Sequence, residues 1–144
     1  MSFLNIYKNK TILITGHTGF KGGWLSIWLQ RLGAEVTGIA LTPNTSPNLF
    51  ELAHIEEGIT SHFCDIRDKT KLVQIITKAR PEIVFHLSAQ PLVRASYRDP
   101  LDNYSTNIMG TANLLDALRS LDSVNVAIMI TTDKVYLNNE SSSQ

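Results

Sequence analysis

The sequence predicts an α/β fold, a doubly wound parallel sheet of five strands in the order 3-2-1-4-5. Three observations point there. Short β-rich runs alternate with helical periodicity along the chain. A glycine-rich turn, with Gly16, Gly19 and Gly22 spaced G-x-x-G-x-x-G, joins the first strand directly to a helix. The fourth strand-like run, residues 82–87 (EIVFHL), is almost continuously apolar, as a parallel strand covered on both faces should be. Right-handed crossovers and a switch point beside the first strand then give the order.

The stretch 11–32 organises the rest. Ile12, Leu13 and Ile14 form the strand. Gly16 takes the backbone angles of the tight turn leaving it. Gly19 lets a phosphate approach the main chain, and Gly22 lets the helix pack closely on the sheet. The N–H groups at that helix N-terminus would then face an anion. The turn therefore reads as a dinucleotide phosphate site, with simple chain reversal as the alternative. Lys21, inside the turn, reads equally as a phosphate ligand or as a solvated lysine. Trp24, Leu25, Trp28, Leu29 and Leu32 recur at helical spacing, which assigns both tryptophans to the core, and Gly33 closes the helix as a left-handed cap.

The second strand is expected over 35–41. The position after it, where an acid favours an unphosphorylated ribose and a basic residue a 2′-phosphate, is Thr42, and no acid follows until Glu51. Residues 42–48 (TPNTSPN) form a turn-rich loop and 49–53 a short helix. The third strand, 59–64, ends in Asp65-Ile66, where Asp65 reads either as an acceptor for an adenine amine or as a loop aspartate. The next helix is capped by Asp68, buries Leu72, Val73, Ile75, Ile76 and Ala79, and stops before Pro81.

The fourth strand leads into Ser88-Ala89-Gln90-Pro91, small enough for a ligand to lie against the main chain, and His86 within the strand reads as a hydrogen-bonded core histidine. Residues 94–99 read as a polar loop. Asp99-Pro100 opens a helix to about residue 121, with Leu101, Tyr104, Ile108, Leu115 and Leu118 on one stripe. The fifth strand, 124–130, ends in Thr131-Thr132-Asp133-Lys134-Val135-Tyr136, a polar cluster at the carboxyl edge where open α/β sheets bind ligands. Residues 1–136 read as one domain and 137–144 (LNNESSSQ) as a polar, disordered tail.

Composition narrows the classes. The 144 residues are 43% hydrophobic, enough for one core, with a formal net charge of zero, which gives no footprint for nucleic acid or an anionic membrane. No apolar run approaches the roughly 18 residues of a membrane span, and the N-terminus lacks the pattern of a secretory signal. Cys64, the one cysteine, reads as a small buried hydrophobe in a reducing cytoplasm, and no metal site is expected.

The glycine turn, Asp65-Ile66, His86-Leu87-Ser88-Ala89-Gln90, Tyr104–Thr111 and Thr132-Asp133-Lys134 together resemble the extended short-chain dehydrogenase/reductases, with their Rossmann-like fold. The segments TGHTGFKGGWLSIWL, CDIRD, PEIVFHLSAQPLVRASY, YSTNIMGT and TTDKVY resemble the CDP-glucose 4,6-dehydratases within them. That resemblance implies NAD as cofactor and the conversion of CDP-glucose to a CDP-4-keto-6-deoxyglucose, in nucleotide-sugar metabolism for O-antigen synthesis. It implies that Gly16, His17, Gly19, Phe20, Lys21, Gly22, Asp65, Ile66, Leu87, Ser88, Ala89, Gln90 and Thr131 line the cofactor site, braced by Asn107. Thr132 would hydrogen-bond the sugar C4 oxygen, Asp133 protonate the departing C6 hydroxyl, and Lys134 take the C5 proton, where related dehydratases carry a glutamate. The helix 100–121 would form half of a homodimer interface. The family's Tyr-x-x-x-Lys pair lies on the helix after the fifth strand, beyond residue 144, so the resemblance implies a chain truncated after that strand and without turnover. A non-catalytic dinucleotide-binding module and another sugar-nucleotide dehydratase or epimerase are the other readings.

Overall fold

The computed structural model describes residues 5–132. Its elements run β1 (Thr11–Thr15), α1 (Phe20–Arg31), β2 (Glu35–Ala40), α2 (Leu49–Leu52), a 3₁₀ turn (Ile55–Gly58), β3 (Thr60–Phe63), α3 (Lys69–Ala79), β4 (Ile83–His86), α4 (Val93–Arg98), α5 (Pro100–Tyr104), a π-helical segment (Ser105–Gly110), α6 (Thr111–Arg119) and β5 (Val126–Met129). The strands form one parallel sheet in the order β3-β2-β1-β4-β5 that the sequence predicts. β1 is central and its apolar residues are buried on both faces. One face packs Leu13, Ile39 and Val84 under α3 and α6, through Leu72, Ile76 and Leu114. The other packs Ile12, Ile14 and Val36 under Leu29 of α1.

Local signals set most boundaries. Asp68 caps α3 by accepting from the Lys71 N–H at 3.0 Å, and Asp99 caps α5 by accepting from the Asp102 N–H at 3.0 Å, with Pro100 in the first helical position. Gly33, at φ +81°, ends the first helix in the left-handed region.

Three expectations fail, each for a physical reason. Residues 93–98 are helical, not a polar loop: the segment has no internal glycine or proline, and its arginines and alanine are good helix formers. Trp24 and Trp28 are 54% and 51% exposed, not core. α1 meets the sheet through Gly22, Gly23, Ser26 and Leu29, so a face of small residues is buried and the large aromatics point outward. Leu101, Tyr104, Ile108 and Leu115 are also exposed, and the helix after β4 instead buries Gly110, Leu114, Ala117 and Leu118. The π segment, with i→i+5 bonding, winds more loosely than an α-helix, so a stripe read at one period across it loses phase.

Candidate functional site

The carboxyl ends of β1, β2 and β4 come level: Thr15 stands opposite Ile39 on one side and His86 on the other. There the chain leaves β1 through Gly16 at φ +82°, a left-handed conformation that favours glycine. A Cβ on Gly16 would lie 3.0 Å from the Leu87 carbonyl carbon and the Ser88 nitrogen, so the turn nests against the loop after β4. A Cβ on Gly22 would overlap the Gly16 carbonyl. Gly19 caps α1 with no side-chain hydrogen bond, leaving the first-turn N–H groups without a capping side chain.

A cleft of about 490 Å³ opens over this turn, lined by Gly16, Thr18, Gly19, Phe20, Lys21, Gly22, Leu41, Cys64, Asp65, Ile66, Arg67, Leu87, Ser88, Ala89, Pro91, Thr106, Ile130 and Thr131. A second, of about 510 Å³, continues from it across the tip of β2, sharing Thr18, Gly19, Phe20 and Leu41 and adding Thr42, Asn44, Thr45 and Asn48. Together they make a groove running to both sides of the switch point, which fits the two halves of a dinucleotide joined by a pyrophosphate at the helix N-terminus. A further cleft, of about 450 Å³, opens at the opposite edge of the sheet beside Thr11, Glu35 and Glu57, away from the carboxyl ends of the strands.

The loop after β4 is held from below by a buried relay. Thr15 Oγ1 accepts the Leu87 and Ser88 N–H groups at 3.2 Å, which leaves its hydroxyl proton to donate to His86 Nδ1 at 2.6 Å. His86 is then neutral and protonated at Nε2, which donates to Thr111 Oγ1 at 2.9 Å; Thr111 donates onward to the Asn107 carbonyl at 2.8 Å. Burial lowers the His86 pKa, in keeping with that neutral form. Asn107 completes the brace. Its Oδ1 accepts the Gln90 N–H at 2.7 Å, and its Nδ2 donates to the Gln90 carbonyl at 3.1 Å. The π segment carries both Asn107 and the cleft-lining Thr106.

The structure therefore brings Gly16, Gly19, Phe20, Lys21, Gly22, Asp65, Ile66, Leu87, Ser88, Ala89 and Thr131 to one cleft, with Gln90 and Asn107 supporting its rim. Phe20 is 73% exposed there. His17 does not line the cleft. Its ring is fully buried under β2, seated on Gly38 where a Cβ would overlap it, edge-on to Phe50 with centroids 5.4 Å apart, and with Nε2 2.7 Å from Ser61 Oγ. Burial lowers its pKa to about 4. The adjacent Ile39 carbonyl, already accepting from the Gly16 N–H at 2.7 Å, offsets part of that, and His62 adds to the lowering. Burial likewise pushes the Cys64 thiol up. The Arg67 guanidinium holds the Asp65 carboxyl below the usual carboxylate range. Thr132 follows Thr131 past β5 and is exposed, while Asp133 and Lys134 lie outside the described residues, as does the tail 137–144.

Sequence reading missed Thr15, Thr18, Arg67 and Thr106. Thr18 donates to the Leu41 carbonyl at 2.9 Å, tying the glycine turn to the end of β2. The D-x-R spacing of Asp65 and Arg67 was the one available local signal, because a side-chain oxygen two residues before an N–H commonly closes such a turn.

A sequence profile described as GDP-mannose 4,6 dehydratase matches residues 13–144. The chain belongs to that family. Within it, the chain is 48% identical over 136 residues, or 94% of its length, to a CDP-glucose 4,6-dehydratase of Salmonella typhimurium, of which it covers 38%. It is 34% identical to the GDP-mannose 4,6 dehydratase of Homo sapiens, covering 78% of this chain and 32% of that protein. This family member thus spans well under half the length of these relatives. Among solved structures, it is similar to the Thermotoga maritima UDP-glucose 4-epimerase with UDP-glucose, at TM-score 0.73 and 30% identity over 84% of this chain and 37% of that one. It is also similar to the Brucella ovis UDP-glucose 4-epimerase in complex with NAD, at TM-score 0.69 and 28% identity over 83% and 34%.

Proposed function

We propose that residues 1–136 are the NAD-binding part of a CDP-glucose 4,6-dehydratase. The observation that carries this is the continuous groove across the glycine turn, built on a sequence 48% identical to the Salmonella dehydratase. The NAD-bound Brucella epimerase supports the choice of cofactor. Gly16, Gly19 and Gly22 and the start of α1 hold the pyrophosphate, with Lys21 adding positive charge. Asp65 and Ile66 bound the adenine side. Leu87, Ser88, Ala89, Gln90 and Thr131 bound the nicotinamide side, braced by Asn107, and His17 fixes the turn from beneath.

NAD bound there supplies the reversible oxidation of a sugar carbinol. The chain's own groups handle position and protons. Thr132 donates a hydrogen bond to the sugar C4 oxygen, Asp133 protonates the departing C6 hydroxyl, and Lys134 takes the C5 proton, a task that requires its pKa to be lowered toward neutrality. CDP-glucose is the substrate and a deoxysugar for surface polysaccharide the product's destination. The protein works in the cytoplasm as a homodimer through the helix 100–121, whose Leu101, Tyr104 and Ile108 are 79%, 58% and 56% exposed. No helix among the described residues is long and apolar enough to cross a membrane.

The test is turnover by the protein expressed from its own gene. With CDP-glucose and NAD it should form a 4-keto-6-deoxy sugar, and Asp133→Asn should lower the rate by about 10²–10⁴-fold, as for loss of a general acid. Preferential turnover of UDP-glucose or GDP-mannose would overturn the substrate assignment.

A further inference from the structure

On the side of the cleft that faces β3, the two charged lining residues are joined to each other. Arg67 Nε lies 3.0 Å from both Oδ1 and Oδ2 of Asp65, and Nη2 lies 2.6 Å from Oδ2. The Arg67 backbone N–H also donates to Oδ1, at 2.8 Å. The guanidinium's other arm, Nη1, donates to Asp102 Oδ1 at 2.6 Å, in the first turn of α5. Arg67 therefore ties the loop after β3 to the helical arm that follows β4, and it fixes the orientation of the Asp65 carboxylate with a planar fork. Asp65 is neither buried nor loose: its side chain is 30% exposed, and that of Arg67 36%, at the cleft wall.

An ionised carboxylate held this way can only accept hydrogen bonds. The purines it can meet differ along one edge, at N1, which is an acceptor beside a 6-amino group and an N–H donor beside a 6-oxo group, and at C6 itself. A 6-amino purine offers an N–H donor there, whereas a 6-oxo purine offers a carbonyl, which would set acceptor against acceptor. We propose that Arg67 is a positioning residue that, through Asp65, makes this cleft select a 6-amino over a 6-oxo purine base. The inference rests on the reading of the groove as a dinucleotide site with Asp65 on the base side. Without the guanidinium the carboxylate keeps only the backbone N–H of residue 67 on Oδ1, so Oδ2 is released and the acceptor edge no longer stays aimed at the base. Lysine keeps the charge but lacks the fork, so it is not equivalent here.

The experiment measures dissociation constants for NAD and for nicotinamide hypoxanthine dinucleotide, with thermal melts to establish folding. The wild-type protein should prefer NAD by about tenfold or more, the scale of one hydrogen bond to a charged group. Arg67→Met should bring the ratio close to one, and Arg67→Lys should recover it only in part. Asp65→Asn, whose amide can donate to a 6-oxo group, should shift the ratio toward hypoxanthine. If Asp65→Asn shifts the ratio and Arg67→Met leaves it unchanged, the role of Arg67 is overturned. The same holds if Arg67→Met weakens both ligands equally, which is what a merely structural contact would do. If neither variant changes the ratio while NAD still binds, Asp65 does not face the base and the inference falls with it. Absence of NAD binding to the folded wild-type protein would overturn the underlying cofactor reading instead. Should Arg67→Met fail to fold, Asp102→Asn releases one arm of the guanidinium: a threefold or greater fall in the ratio supports the proposal, and an unchanged ratio overturns it.

Discussion

Gly22 has no room for a side chain, because a Cβ there would run into the Gly16 carbonyl. Gly22→Ala should push the turn out of shape, destabilise the fold by about 1–3 kcal/mol, and abolish NAD binding. A thermal melt paired with a ligand titration checks both effects. His17 makes the complementary case, a titratable ring fully buried beneath β2 between Gly38, Phe50 and Ser61. Its folded pKa of about 4 lies below the 6.5 of a free histidine, so between those values the unfolded chain binds the proton and the folded chain does not. The His17 contribution is then fully present above about pH 6.5 and is lost as pH falls toward 4, by roughly 3 kcal/mol. The lowered pKa of His86 acts in the same direction. Urea midpoints across that range should fall with pH, and His17→Gln should flatten the slope; midpoints that rise on acidification would contradict this. The glycines were legible in the sequence because their requirement is local, a backbone angle or a close approach. The burial of His17 was not, since it depends on Gly38 and Ser61, which lie 21 and 44 residues away.

The helices show where periodicity misleads. α1 looks amphipathic through its tryptophans, yet it packs through glycine and serine, because a close crossing over the sheet leaves space only for small side chains. Hydrophobicity marks what can be buried, and size decides what fits. After β4, the π segment turns the Asn107 side chain onto the main chain of Gln90 and places Gly110 against Ile66, where a Cβ would overlap the isoleucine side chain. Asn107→Ala removes both hydrogen bonds to Gln90 and should weaken NAD about tenfold, the equivalent of about 1.4 kcal/mol, while the melting transition stays cooperative. Calorimetric titration with a matched melt separates these outcomes. Unchanged affinity would mean that the loop after β4 holds its shape without the brace.

The sheet order was legible because strand and helix patterns alternate and crossovers have a fixed hand, so few topologies remain. What covers the outer surfaces was not legible, for the same pattern serves burial within the chain and burial against another surface. Val126, Ile128 and Ile130 in and beside the edge strand β5 are 46%, 39% and 47% exposed, and the apolar residues of the helix 100–121 add to this. Exposed edges and contiguous apolar faces promote association. The 144-residue chain should self-associate in sedimentation experiments, and Ile108→Lys should shift it toward monomer. A monodisperse wild-type monomer at tens of micromolar would contradict that expectation.

The glycine turn, His17 beneath it and the Asn107 brace all shape one groove for one ligand. Calorimetric titration of the chain with NAD, beside the Gly22→Ala variant and beside NADP, tests it most directly. The predicted result is a single saturable site per chain for NAD, weaker binding of NADP, and no site in Gly22→Ala. A folded wild-type chain that takes up no NAD, or a variant that binds as well as wild type, would contradict the assignment of the glycine turn as a cofactor site.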